Sequence, residues 1–119
     1  MLSFKKTIYP ELPDEALMQA IARGNERAFA ALYDRYSPRM HRFFYRMLWR
    51  DAARAEDFTQ ELFLKIIEKP HFYDPGRPFR TWIYALAGNL CKNEYRRKKP
   101  QDLEAGLSDL APEQHAYLP

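Results

Sequence analysis

The sequence predicts an all-α fold: a compact helical domain of about four helices. Three observations carry that expectation. Apolar residues recur at i, i+3, i+4 and i+7 in four separate stretches, the spacing of helices with one buried face. Capping and breaking residues stand between those stretches: Pro13-Asp14, Gly24-Asn25, Asp51 and the proline-rich segment 69–78. Nothing alternates with period two for long enough to read as a strand.

Residues 1–13 are expected to form an extended N-terminal arm that ends at Pro13. Asp14 is placed to cap a short first helix carrying Leu17, Ala20 and Ile21 on its apolar face. Gly24 is a natural stop, and Asn25 caps the next helix at once. That second helix carries Phe29, Leu32, Tyr33 and Tyr36, then Met40, Phe43, Phe44, Met47 and Leu48 at the same spacing. Pro38 lies between the two sets and cannot donate to the carbonyl of Asp34, so one bent helix over 25–49 is expected.

Asp51 caps a third helix over 52–68, with an apolar arc of Phe58, Thr59, Leu62, Phe63, Ile66 and Ile67. Its other side holds Asp57, Gln60, Glu61, Leu64 and Glu68. A lone exposed leucine is ordinary, but Leu64 ringed by Asp57, Gln60 and Glu61 also suits a partner surface. The segment KPHFYDPGRP, 69–78, has three prolines and the turn signal Asp74-Pro75-Gly76, so it is a loop. Its adjacent aromatics, Phe72 and Tyr73, have two uses open to them: folding back onto the core, or stacking against a ligand.

The fourth helix follows directly, with Phe79, Trp82, Ile83, Leu86, Ala87, Leu90 and Cys91 on the apolar face. Beside that face runs a stripe of Ala85, Asn89, Lys92 and Arg96, and the helix ends in Arg96, Arg97, Lys98 and Lys99 before Pro100. Cations in a last turn suit the helix macrodipole by themselves. An amide, a cation stripe and an aromatic loop together also make a nucleic-acid surface. Residues 100–119 read as a flexible acidic linker, so the expected domain is 14–99.

Composition bounds the function. The 119 residues suffice for one domain, and 46% hydrophobic with 15% aromatic content describes a globular chain. The net charge of +3 hides an asymmetry: residues 1–99 hold all 19 cations and 12 of the 16 acids, a net +7, while 100–119 is −4. A basic body with an acidic tail suits a polyanionic partner. The single cysteine, Cys91, allows no internal disulfide and points to a reducing compartment. No secretory signal or membrane-spanning run is read, so a cytoplasmic protein with no membrane association is expected.

No catalytic constellation is visible. His41, His71 and His115 fall in different segments, no metal-ligand spacing occurs, and no glycine-rich phosphate loop is present. Cys91 on an apolar face reads as an inert thiol. The expectation is a non-enzymatic protein with no metal and no cofactor.

The order of the signals then resembles a known family. GNERAFAALYDRYSPRM, EDFTQELFLKIIEK and FYDPGRPFRTWIYALAGNLCKNEYRRK, in that order, are similar to the second region of the extracytoplasmic-function (ECF) sigma factors of bacterial RNA polymerase, over about residues 14–99. The pairing of D-x-x-Q-E-x-F with F-x-T-W-[IL]-x-x-[IL]-A-x-N carries the resemblance.

The resemblance implies a transcription initiation factor whose partners are core RNA polymerase and promoter DNA, with an anti-sigma factor as a further possible partner. It implies that helix 52–68 docks on the clamp coiled coil of the β′ subunit through Asp57, Gln60, Glu61, Leu64 and Lys65. It implies that loop 69–78 and helix 79–97 hold the non-template strand of the −10 element, with Tyr73, Leu86, Asn89 and Asn93 around a flipped base and Phe72 as a further DNA-binding residue. Lys92, Arg96 and Arg97 would hold phosphates. Relatives normally carry a second domain that reads the −35 element; its absence after residue 119 is expected to reflect either an excised domain or a naturally truncated protein. Two other readings stay open: a helical module that binds only protein, and a nonspecific nucleic-acid binder.

Overall fold

The computed structural model describes residues 8–98. Four helices make up the fold: α1 (Asp14–Ala22), α2 (Glu26–Met47), α3 (Ala52–Glu68) and α4 (Phe79–Arg97). Short 3₁₀ turns at Tyr9–Glu11 and Pro70–Phe72 precede α1 and α4. The all-α expectation holds among the described residues. The linker 100–119 and residues 1–7 of the expected arm lie outside them.

The long helix α2 is the hub, touching α1, α3 and α4. Its buried residues Leu32, Met40, Phe43, Phe44 and Met47 meet Leu17 of α1, Leu62, Phe63 and Ile66 of α3, and Ile83 of α4 in one core. Asn25 and Asp51 cap α2 and α3 as the sequence predicts, accepting from the N–H groups of Ala28 and Arg54 at 2.9 and 3.0 Å. Pro38 lies inside an uninterrupted α2. Asp34 and Pro38 are both exposed, so the carbonyl that proline leaves without a donor is on the wet side of the helix.

Several expectations are corrected. Asp14 is the first residue of α1 and caps nothing; Pro13 holds the capping position. The Asp14 carboxylate instead accepts from Arg35 at 2.8 Å and from the Tyr36 hydroxyl at 2.6 Å, stapling α1 to α2. The described end of the arm is not wholly extended, because Tyr9–Glu11 form a 3₁₀ turn whose Tyr9 hydroxyl accepts from Asn25 at 2.7 Å. Ile67, assigned to the core arc, is exposed.

Two devices place α4. Pro78 precedes it and supplies no capping side chain, so the Phe79 N–H donates at 3.1 Å to the Glu15 carboxylate on α1. At the other end Trp49 takes a left-handed backbone (φ 58°) in the turn after α2. Its ring meets the edge of Tyr95 at 5.6 Å, with Arg54 and Lys98 over it at 5.1 and 5.0 Å. A non-glycine residue in that conformation costs about 1–3 kcal/mol, and this packing offsets it.

Candidate nucleic-acid and protein interfaces

The loop 69–78 and α4 enclose a cleft of about 540 Å³ against the end of α3. Trp82 and Leu86 are half-buried on its α4 wall, Asn89 and Asn93 stand exposed on its rim, and Phe72 closes the loop side. Phe72 is 63% exposed, a large aromatic held out to solvent. The Lys69 ammonium lies 5.2 Å over its ring. The site therefore has one aromatic face, an aliphatic floor and two amides within one concavity.

The structure separates the two adjacent loop aromatics. Tyr73, expected at the flipped base, is buried. Its ring packs edge-on against Phe79 and Trp82 at 5.5 and 5.2 Å, and its hydroxyl donates to the Arg77 carbonyl. It offers no free face to the cleft. The residue is a pin for the loop, and of the two aromatics Phe72 is the one whose ring is exposed. Trp82 is corrected in the other sense: read as core, it is only partly buried and helps to line the cleft.

Lys92 and Arg96 lie outside the cleft along the exposed flank of α4, as their spacing implied, with Lys92 half-buried and Arg96 exposed. Arg97 is tied down: its Nε donates at 3.0 Å to Glu94. Glu94 is buried and also takes a charge-assisted hydrogen bond from Arg54 of α3. This Arg54–Glu94–Arg97 cluster was not anticipated from the sequence, because a single acid on a helix carries no pattern.

On α3, Asp57, Gln60, Glu61 and Leu64 are exposed together, and Leu64 is 55% exposed. The Gln60 amide donates to Glu56 at 3.1 Å. Ile67, one turn beyond, adds a second exposed aliphatic to this acidic face. Lys65, one turn after Glu61, is exposed at the edge of this face and also lines the cleft with Lys69. Cys91 is fully buried, and burial, with the nearby Glu94 carboxylate adding to it, pushes its thiol up to about 12. Among the described residues no helix is long and apolar enough to cross a membrane.

Comparison with known proteins adds the family. The chain is 35% identical over 83 residues to the ECF RNA polymerase sigma factor SigW of Bacillus subtilis, covering 70% of this chain and 44% of that protein. It is 34% identical over 94 residues to the RNA polymerase sigma factor CarQ of Myxococcus xanthus, 79% of this chain and 53% of that one. With the ECF RNA polymerase sigma factor RpoE of Cereibacter sphaeroides it shares 33% over 104 residues, 83% and 56% of the two chains. The chain thus spans about half the length of the curated relatives it matches. Residues 32–101, which take in most of α2 and all of α3, the loop and α4, match the family model of Sigma-70 region 2. Four helices in this order, and relatives of the ECF kind, agree with that match: the chain belongs to the sigma-70 region 2 family.

Proposed function

We propose that the domain acts in transcription initiation, docking on core RNA polymerase through α3 and holding the opened −10 strand of a promoter in the cleft beside α4. The observation that carries the proposal is the cleft itself, where exposed Phe72 faces Leu86, Asn89 and Asn93. A base released from the duplex stack needs a face to lie on and polar groups to read its edge. Phe72 and Leu86 supply the face; the amides of Asn89 and Asn93 both donate and accept, so they can discriminate among base edges. Lys92 and Arg96 on the adjoining flank hold phosphates, which fixes register without reading sequence. Arg97 contributes less, since Glu94 already holds its guanidinium.

The polymerase contact is assigned to Asp57, Gln60, Glu61 and Leu64, with the clamp coiled coil of β′ as the partner surface. An exposed leucine framed by acids fits a basic surface with an apolar socket. The relatives named as RNA polymerase sigma factors support the same partner. The test is retention of core polymerase by the full tagged chain. Glu61→Lys and Gln60→Ala change exposed side chains, so native melting is expected with weakened retention. No retention of core enzyme by the parent chain, or equal retention by both variants, would remove α3 from the interface.

A further inference from the structure

On the opposite flank of α4 lies a second concavity, a groove of about 650 Å³ between α2 and the start of α4. Arg39, Arg42 and Arg46 line it from α2 at i, i+3 and i+7, and Arg80 enters from α4. Tyr45, 37% exposed, half-buried Tyr84 and His41 complete its walls, and among the described residues no acid lines it. Arg80 and Asn89 are nine residues apart, about two and a half turns, so groove and cleft face away from each other across the helix.

The charge here has no internal counter-charge, although Arg39 also lies 5.7 Å over the Tyr36 ring. Arg35, Arg54 and Arg97 each have a carboxylate partner, whereas none of Arg39, Arg42, Arg46 and Arg80 has one within 4.0 Å among the described residues. From Pro38 to Arg50 there are four arginines and no acid. The macrodipole accounts for Arg46 in the last turn of α2, but not for Arg39 or Arg42 further back. Arg80 is worse placed, a cation in the first turn of α4, at the positive end of that helix. A bound anion would relieve both the mutual repulsion of these arginines and the misfit of Arg80 with the dipole of α4.

We propose that this groove is a second DNA site, taking the phosphate backbone of a single strand along α2 with a base stacked on Tyr45. Seven residues of α2 span roughly 10 Å, room for about three phosphates at the ~3.4 Å axial spacing of one strand. Guanidinium groups suit phosphate oxygens as paired donors. An exposed tyrosine beside a cationic track is the arrangement that binds strands without reading sequence. The inference goes beyond the cleft reading and stands independently of it.

The test is fluorescence anisotropy of the full chain with a labelled mixed-sequence oligonucleotide, single-stranded and duplex, across a salt series. Arg42→Gln with Arg46→Gln is expected to melt like the parent and to weaken all strand sequences alike. It should flatten the salt slope by about 1.4, at ~0.7 per lost phosphate contact. Arg80→Gln alone, from a different helix, should flatten it by about 0.7 and covers the case in which the double variant misfolds. Tyr45→Leu should weaken strand binding more than duplex binding, and Tyr45→Phe should restore it. An unchanged salt slope in both arginine variants would overturn the proposal, as would the absence of strand binding at low salt. So would variants that lose only binding of a synthetic peptide of residues 100–119, which would make the groove a seat for acidic protein. Asn89→Ala reports on the cleft through sequence discrimination, so failure of that reading and failure of this one give different results.

Discussion

Replacing Phe72 and Tyr73 one at a time separates stability from binding at two neighbouring residues. Tyr73 is 6% exposed, packs on two aromatic rings and bonds to the Arg77 carbonyl. Truncating a buried ring to alanine costs about 3–5 kcal/mol. For a domain of this size that lowers the melting temperature by roughly 12 °C or more, at about 4 °C or more per kcal/mol. Phe72 is 63% exposed, and its ring pairs with Lys69 and His71. Phe72→Ala should therefore change stability by no more than about 1 kcal/mol, the value of an exposed cation–π contact. In binding the order reverses. A base stacked on an aromatic contributes about 1–3 kcal/mol, so Phe72→Ala should weaken strand affinity about 5- to 150-fold. Tyr73→Phe keeps the ring and loses one hydrogen bond, about 0.5–1.5 kcal/mol of stability, with strand affinity unchanged. Differential scanning calorimetry and anisotropy on the same preparations read both effects. A stable Tyr73→Ala that no longer binds, beside a Phe72→Ala that binds like the parent, would refute the assignment of faces.

Trp82 lines the cleft and is only half-buried, so Trp82→Ala should cost about half the 3–5 kcal/mol of a fully buried tryptophan; a loss above that range in thermal melting would mean that the ring supports the core more than its exposure suggests. Native Cys91 should resist a disulfide exchange reagent at pH 8 and react only on unfolding, and labelling at the rate of a free thiol would contradict its burial. The same thiol sets a pH dependence: folded, it keeps its proton up to about 12, whereas an unfolded thiol releases it near 8.5. Between those values the unfolded chain binds fewer protons, so stability is full below about pH 8.5 and falls as pH rises towards 12, by up to about 1.4 kcal/mol per unit. Tyr36, Tyr73 and Tyr95, all raised chiefly by burial, act in the same direction at higher pH. A melting temperature flat from pH 8 to 11 would contradict this.

Local rules made most of the fold readable. Asn25 and Asp51 cap their helices because each sits one residue before an apolar repeat, with its own backbone donors in reach. Asp14 obeys the same rule on paper and breaks it in the fold, since Arg35 and Tyr36, distant in sequence, take its carboxylate. The acceptor for the start of α4 comes from Glu15, also out of reach of any local pattern. The cleft was half legible. Leu86, Asn89 and Asn93 follow from helical phase, but a loop has no period, so which of Phe72 and Tyr73 points outward depended on packing against Phe79 and Trp82. The basic groove was missed because Arg39, Arg42 and Arg46 have a readable spacing only on α2, and Arg80 joins them through tertiary contact.

On the proposed function, the cleft holds a base already released from its duplex. Unstacking a base costs a few kcal/mol, about what stacking on an aromatic returns, so the two nearly cancel on intact DNA and only an opened strand binds with gain. Anisotropy of the full chain with a −10-like strand and the same sequence as duplex, at two salt concentrations, measures this directly. Preference for the strand is expected, with affinity falling steeply as salt rises; Asn89→Ala should reduce discrimination among strand sequences, and Arg96→Ala should weaken all of them alike. Equal affinity for strand and duplex, with no sequence preference for Asn89→Ala to reduce, would mean that the cleft holds no released base.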